Sequence, residues 1–187
     1  MRYRLLHAAA TLLGAAAALV AGRTVPAAAQ AVSAASLKAA FVANFAKFTE
    51  WPVERAGEPR AFQFCVVGDR AVAVALEETL HAHPSAAPMS VTFLKSTTAL
   101  PRCDLLYVSG VDVRETARLV DSLKGTAVFT VSDTTGFAER GGVAQLVEVD
   151  GRMRFSINPA AAQRNHLALN ARLLTLATLV KDTDGSR

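Results

Sequence analysis

Side chains that could pair a nucleophile with a general base are scarce in this 187-residue chain. Nucleophilic catalysis needs a base, most often histidine, held beside a serine or cysteine. Ser109 follows an apolar run, but its Tyr-Val-Ser-Gly context differs from the Gly-x-Ser-x-Gly turn that exposes a hydrolase serine. His81 and His83 lie next to Pro84 in a predicted loop. We therefore predict no catalytic residues and a protein that is not an enzyme.

Metal binding is the second kind of chemistry that these histidines could support. Glu77 precedes His81 by one helical turn and His83 follows closely, which is a weak metal-ligand pattern. Exposed loop histidines are the more common reading of such a pattern, and the two cysteines are too far apart for a typical zinc site. The Gly141-Gly142 pair lacks the lysine and serine of a phosphate-binding loop and predicts a turn. We predict neither a metal nor a cofactor.

Three polar or small residues follow predicted strands and could line a ligand pocket. Gly68, Ser109 and Asp133 each come directly after a short apolar run. In open α/β sheets, ligands bind outside the carboxyl ends of the strands. A strand must also turn at its end, and an aspartate there can cap that turn. The sequence leaves both roles open for these residues.

An aromatic segment near the start of the mature chain could contact a partner protein. Phe41, Phe45 and Phe48 are spaced to share one face of a helix, which Pro52 cannot continue. Trp51, the only tryptophan, could be buried as a core plug or partly exposed as an interface anchor. Phe48, Trp51 and Pro52 are therefore partner-binding candidates.

Two further candidates for partner contact lie near the C-terminal end. Arg152 and Arg154 alternate with apolar residues, so that the two arginines share one face of a predicted strand. Asn158 follows that strand directly. Arg154 and Asn158 could contact a partner; equally, the arginine pair could be a solvated face and the asparagine a helix cap.

These residues need a framework of alternating helices and strands to position them. The pattern predicts helices over about 33–50, 71–80, 113–123 and 159–181, the last with a break at Asn165 or Asn170. It predicts strands over about 61–67, 89–94, 104–109, 127–132, 143–149 and 153–157, the last two joined by the hairpin signal Asp150-Gly151. The fold class is then α/β: a single domain with a mixed, mostly parallel sheet of about six strands, helices on both faces and a late β-hairpin.

The first 31 residues have the composition of a secretory signal peptide. Arginines at the start, an apolar run over residues 5–20 and small residues over 27–31 follow the usual order. The small residues allow cleavage after Ala29 or after Ala31. An uncleaved anchor is the alternative, but the run is short for a membrane span of about 20 residues. We expect a mature protein of residues 32–187 that is exported and has no membrane-spanning segment.

Removal of the signal changes the charge of the protein. The full chain has a formal charge of +4, but the signal contains three of its 20 basic residues and none of its 16 acidic ones, which leaves +1. No basic cluster remains in the mature chain. Nucleic acid is therefore not an expected partner.

The chain has two cysteines, Cys65 and Cys103. An exported protein meets an oxidising compartment, where the two could form a disulfide. Such a bond would stabilise the fold by roughly 4 kcal/mol in the chain-entropy model. Two separately buried thiols are the alternative, because Cys65 lies in a strand-like apolar run where cysteine acts as a small hydrophobe.

Five segments, in this order, resemble the YfiR-like family of small periplasmic proteins. They are Asn44–Pro52, Phe64–Asp69, Cys103–Ser109, Val128–Asp133, and Arg154–Asn158 with the Leu173-Leu174 helix that follows. The resemblance covers about residues 36–180, which is nearly the whole mature chain. Cysteines recur at the positions of Cys65 and Cys103 in the family, so the resemblance favours the disulfide.

The resemblance also implies a function. YfiR-like proteins bind the periplasmic sensor portion of an inner-membrane diguanylate cyclase and hold it inactive, which lowers cyclic-di-GMP and disfavours biofilm. Related domains act with a histidine kinase or another receptor, so a periplasmic small-ligand-binding sensor or carrier is the alternative. The family also suggests a homodimer. Some relatives carry a second cysteine pair that this chain lacks, so redox control that depends on that pair is not expected here.

Overall fold

Helices and strands alternate along the chain, much as the apolar pattern predicts. The computed structural model describes residues 33–52 and 61–183; the predicted signal peptide, residues 1–31, lies outside the described residues. The helices are Ala34–Lys47 (α1), Arg70–Ala82 (α2), Val113–Ser122 (α3), Pro159–Arg164 (α4) and Ala171–Leu176 (α5). The strands are Thr49–Glu50 (β1), Phe62–Val67 (β2), Met89–Leu94 (β3), Leu105–Val108 (β4), Phe129–Ser132 (β5), Ala144–Val149 (β6), Arg152–Ile157 (β7), Ala168–Leu169 (β8) and Thr178–Leu179 (β9).

Each of these helices begins at a polar side chain that accepts a hydrogen bond from its first turn. This satisfies a backbone N–H group that would otherwise have no partner inside the helix. The capping residues, in chain order, are Ser33, Asp69, Asp112, Asn158 and Asn170. The positions at which the helices begin therefore follow from local sequence.

Seven strands form the main sheet, in the order β3-β2-β4-β5-β6-β7-β9. The first five are parallel to one another, β7 runs antiparallel to β6, and β9 runs parallel to β7. The predicted mixed, mostly parallel sheet is confirmed. The five parallel strands follow the doubly wound order 2-1-3-4-5, in which the chain reverses its winding direction between β2 and β4.

Helices cover both faces of this sheet, as predicted. Phe64 and Val66 of β2 pack in one cluster with residues of α1 and α2. Cys65 and Val67 point to the opposite face, where they pack with Leu119 of α3. The apolar run of β2 is thus buried on both sides, which is the usual state of a central parallel strand.

The disulfide between Cys65 and Cys103 is present, with Cα atoms 5.8 Å apart. It ties β2 to the residues that lead into β4, its neighbour in the sheet. Both cysteines are buried on the face that α3 covers. The disulfide that the resemblance favours is therefore confirmed.

The C-terminal region differs from the single long helix that the pattern predicts. α4 ends at Asn165, His166 has a φ of 56°, and α5 begins only after its cap Asn170. Both predicted break points are thus used. The intervening strand β8 pairs with β1, and Thr178–Leu179 forms the edge strand β9 in place of a last helical turn.

α1 is also shorter than predicted, because the chain leaves it to form β1. The helix ends at Lys47, and Thr49 and Glu50 pair with Leu169 and Ala168. This pairing joins the start of the domain to its C-terminal part, a contact that no local pattern specifies.

The hairpin of β6 and β7 forms at the predicted turn. Asp150 and Gly151 have φ values of 51° and 69°, and the strands pair from Ala144 with Ile157 to Val149 with Arg152. Positive φ at both central residues is typical of the two-residue turn that matches strand twist. Across the described residues, no helix is both long and apolar enough to cross a membrane.

Candidate functional site

The predicted ligand residues meet at the carboxyl edge of the sheet, where the winding direction reverses. Gly68 directly follows β2 and Ser109 directly follows β4, and the Ser109 N–H donates to the carbonyl of Val67 at 3.1 Å. Gly68 has a φ of +84°, and a Cβ atom there would lie 1.9 Å from the Ser109 carbonyl oxygen. Only glycine fits where these two loops touch.

Asp133 completes this site from the end of the next strand, β5. Its Oδ2 atom lies 2.5 Å from Nζ of Lys38 in α1 and accepts a hydrogen bond from the Tyr107 hydroxyl at 3.0 Å. The side chain of Ser109 also acts on this pair, because it lowers the pKa of both Asp133 and Tyr107. We call Lys38, Tyr107, Ser109 and Asp133 the polar cluster.

Burial and charge hold the ionisable groups of the polar cluster in defined states. Burial alone raises the pKa of Asp133, but the hydrogen bonds from Lys38 and Ser109 and the charge of Lys38 outweigh it, so the pKa lies below its usual value. Burial, followed by the negative charge of Asp133, raises the pKa of Tyr107 well above 10.0. At neutral pH the aspartate is therefore charged and the tyrosine is a neutral hydrogen-bond donor.

The charges of the polar cluster compensate one another. The Lys38 charge is compensated by Asp133, and the Tyr107 hydroxyl donates to the same carboxylate. No histidine takes part: His81, His83 and His166 are exposed. The cluster offers a fixed set of polar groups beside a glycine turn, at the edge where ligands of doubly wound sheets bind.

The weak metal pattern does not become a metal site in the part of the chain that the structure describes. Nδ1 of His81 hydrogen-bonds with the carbonyl of Glu77, and His83 ends α2. Within residues 33–52 and 61–183, no three His, Cys, Asp or Glu side chains are grouped so as to hold an ion.

The aromatic candidates for partner contact divide between two places. Trp51 is half-buried. Its ring packs against the ring of Phe62, with the two ring centroids 4.9 Å apart, and its Nε1 donates to the carbonyl of Asp104 at 3.3 Å. Pro52 lies nearby, on a groove of about 830 Å³ next to Cys103. Phe48 instead lines a separate cavity between α1 and α5.

That cavity is small, about 110 Å³, but it opens onto an apolar surface. Leu176 on this surface is 75% exposed. The lining side chains also include one cation, Arg172. We call the apolar lining residues the α1–α5 surface; they are Phe41, Phe45, Phe48, Phe155, Leu173 and Leu176. The sequence indicates the α1 side of this surface through its phenylalanine spacing but not the exposed Leu176.

The two candidates of the hairpin region have opposite surroundings. Arg154 is exposed on β7. Asn158 is 0% exposed: its Oδ1 accepts from the N–H of Ala161, and its Nδ2 donates to Ala138 O at 2.8 Å and to Asp182. In this structure Asn158 is therefore a buried helix cap, which is one of the two roles that the sequence leaves open for it.

The sequence interpretation omitted two members of the polar cluster, Lys38 and Tyr107. Lys38 carries the one charge in the first three turns of α1, and this isolated charge is the signal that the sequence offers. Tyr107 lies in a fully buried strand, where a hydroxyl needs a hydrogen-bond partner. That partner is Asp133, which follows the neighbouring strand β5.

The chain is similar to proteins of one family. A family model described as YfiR/HmsC-like matches residues 35–178. A solved structure titled a conserved domain protein, from Vibrio cholerae O1 biovar El Tor str. N16961, is similar at 16% identity and a TM-score of 0.46. That match covers 71% of this chain, and the chain spans 60% of the length of that structure. No curated protein matches. Since the family model spans nearly all of the described residues, the chain belongs to the YfiR/HmsC-like family.

Proposed function

We propose that this protein is a non-enzymatic periplasmic regulator that binds the periplasmic sensor portion of an inner-membrane diguanylate cyclase and inhibits it. The observation that carries the proposal is the family match over residues 35–178, since members of this family are periplasmic regulators of diguanylate cyclases. The buried disulfide fits an oxidising compartment. The proposed inhibition lowers cyclic-di-GMP inside the cell.

The α1–α5 surface supports a protein partner. Leu176 and, nearby in the chain, Leu179 are 75% and 55% exposed, and both adjoin the C-terminal end of the domain. Exposed apolar side chains next to a shallow cavity are typical of protein–protein contact sites. Phe48, one of the candidates from the sequence, lines this surface. Arg154 lies on the strand that contributes Phe155, but on the opposite face of that strand.

Inhibition by binding has an energetic requirement. The protein must bind the inactive state of the cyclase more tightly than the active state, because a ligand with equal affinity for both shifts nothing. Moving the cyclase from 1% to 99% inactive needs a difference of about 10⁴-fold, or about 5.5 kcal/mol. Leu176, together with the half-buried Phe41 and Phe48, would be the apolar anchors that supply this difference.

Capture of the partner from membranes tests this proposal. Mature protein, immobilised, is mixed with detergent-solubilised membranes of its own host, and the retained proteins are identified by mass spectrometry. We expect a diguanylate cyclase with a periplasmic sensor domain, retained by wild type and by Val74→Asp but lost with Leu176→Asp. Val74 is a matched control, because it is an exposed apolar residue on α2.

Other outcomes of this capture experiment have a defined meaning. If no membrane signalling protein is retained under oxidising or reducing conditions, the regulator proposal is wrong. Retention of a histidine kinase instead would transfer the same binding role to another receptor. The homodimer also remains a proposal, and sedimentation of the mature protein over a range of concentrations tests it.

A second function, small-ligand sensing, is favoured by the polar cluster. Four polar side chains meet where the winding of the sheet reverses, the usual ligand position in this architecture. Thermal unfolding with a panel of amino acids and nucleotides tests it, since a ligand at 100 times its Kd stabilises by about 2.7 kcal/mol. The shift should vanish in Asp133→Asn and persist in Asp121→Asn; no shift with any compound would count against the sensor.

A further inference from the structure

The outer edge of β7 is open over most of its length. β7 pairs with β6 along all six residues from Arg152 to Ile157, but β9 covers only Ser156 and Ile157. Among the described residues, no backbone hydrogen bond reaches the outer side of Arg152–Phe155. This stretch, the β7 edge, has N–H and C=O groups on its outer side that no described strand pairs. Arg152–Arg154 are accessible there, whereas Phe155 is only 7% exposed.

An open strand edge is a template onto which another extended segment can pair. Charged side chains on an edge often act as protection against such pairing. Here the charges are of one sign: Arg152 and Arg154 are exposed and lie on the same face of β7. They therefore discourage a basic strand and attract an acidic one.

The two faces of the β7 edge differ in chemistry. Arg152 and Arg154 lie on one face, whereas Met153 and Phe155 point to the other, where they pack against the cluster that includes α1. Phe155 also lines the α1–α5 surface, with Arg172 beside it. An added strand would thus meet arginines on one side and apolar residues on the other.

We propose that a partner protein adds an extended segment along the β7 edge, and that this segment alternates acidic and apolar side chains. The acidic residues pair across the strands with Arg152 and Arg154. The apolar residues continue the side of the sheet formed by Met153 and Phe155, towards Leu176. The proposal rests on the proposed function in that the natural source of the segment is the periplasmic portion of the cyclase.

A second copy of this chain fits the β7 edge poorly. Consider two copies that pair through this edge about a two-fold axis perpendicular to the sheet. The same face of each strand then lies on the same side of the joined sheet. Arg152 of one copy would lie opposite Arg154 of the other, or the two Arg154 side chains would lie opposite each other. Like charges directly opposite one another destabilise a strand pair. The charge pattern therefore favours a different, acidic partner.

A synthetic peptide that alternates glutamate and valine is the direct probe, and a peptide with lysine in place of glutamate is its control. Backbone amide exchange and chemical shifts of the protein are followed by NMR during titration. We expect the glutamate peptide to slow exchange at the β7 amides that point away from β6. The lysine peptide should bind about tenfold more weakly, because two cross-strand pairs change from attraction to repulsion.

Charge reversal in the protein makes the test reciprocal. The double variant Arg152→Glu/Arg154→Glu should prefer the lysine peptide. Arg114→Glu/Arg118→Glu, which reverses two exposed arginines on α3, should keep the preference of wild type. Both variants change the net charge equally, so a general electrostatic effect would shift them together and would overturn the proposal.

Three other results would also overturn it. Binding of the glutamate peptide without protection of the β7 edge would place the peptide elsewhere. Slow exchange of the β7 edge amides in the absence of peptide would mean that the edge is already covered. A segment of this chain would cover it if the protection does not depend on protein concentration, and a second copy would cover it if the protection does. The third result is that Arg152→Glu/Arg154→Glu retains the cyclase as well as wild type does, which would reject the β7 edge but leave the regulator function intact.

Peptide binding at the β7 edge without capture of a cyclase would have a different meaning. It would reject the cyclase as the partner and leave the β7 edge as a binding site.

Discussion

Asp133 shows how one residue of the polar cluster links packing to acid stability. Its folded pKa is depressed, so the stability it contributes is present above the unfolded pKa of about 4 and is lost as the pH falls through the folded pKa. At pH 7, Asp133→Asn should lower the free energy of unfolding by about 1–3 kcal/mol, because Lys38 loses its charged partner. The difference between variant and wild type should narrow below pH 4.

Urea denaturation at pH 7 and at about pH 3 measures this difference. Asp121→Asn serves as the control, since Asp121 forms an exposed ion pair with Lys124 and should change little. A difference between Asp133→Asn and wild type that is the same at both pH values would contradict the depressed pKa.

Tyr107 makes the corresponding prediction at alkaline pH. Its folded pKa is raised, so above pH 10 the unfolded chain releases a proton that the folded chain retains, and the free energy of unfolding falls as the pH rises. Since the other tyrosine, Tyr3, lies in the predicted signal, phenolate absorbance of residues 32–187 reports Tyr107 alone. We expect ionisation to coincide with unfolding. Ionisation near pH 10 in a protein that retains its circular dichroism would refute this.

Gly68 tests the close contact between the loops after β2 and β4. Gly68→Ala combines a φ of +84° with a Cβ 1.9 Å from a backbone oxygen, so the loops must move apart. Gly110→Ala has a similar φ of +66° but nothing within 4 Å of the added Cβ. Gly110→Ala should destabilise by about 1 kcal/mol from backbone strain, and Gly68→Ala by clearly more. Equal changes in the urea midpoint would mean that the contact is unimportant.

At the scale of elements, the segment that follows β9, residues 180–182, stabilises the edge of the sheet by hydrogen bonds to β7 and α4. Asp182 accepts hydrogen bonds from Arg164 at 2.5 Å and from Asn158, and Val180 N donates to Ile157 O. Asp182→Ala should lower the free energy of unfolding by about 1–3 kcal/mol, because charge-assisted hydrogen bonds are lost. Lys181→Ala is the exposed neighbouring control, and thermal unfolding compares the two. No difference between them would show that the segment adds no stability.

The elements that could be predicted are those whose signals are local. Alternation and apolar runs locate β2 to β7, and Asp150-Gly151 locates the hairpin turn. The two-residue strands β1, β8 and β9 have no such signal, because they exist only through pairing with distant residues. The same limit applies to the site: strand ends predict that Gly68, Ser109 and Asp133 meet, whereas Lys38 joins them only through the docking of α1.

At the scale of the whole molecule, the disulfide restricts the unfolded chain. It closes a loop between residues that are 38 apart, which corresponds to about 4 kcal/mol in the chain-entropy model. Reduction should lower the free energy of unfolding by roughly 2–4 kcal/mol, measured by urea denaturation with and without reductant. Cys65→Ala/Cys103→Ala should not respond to reductant. Unchanged stability after complete reduction would contradict the prediction.

The pairing of β1 with β8 has a consequence for the order in which this protein can assemble. Thr49 meets Leu169, and the Phe48 carbonyl accepts from Asn170 N–H, so β1 has no partner strand until residue 170 has been made. Contacts this distant in sequence also slow folding. Late closure of this kind is compatible with the proposed export, because a polypeptide has to be unfolded to cross a translocation channel.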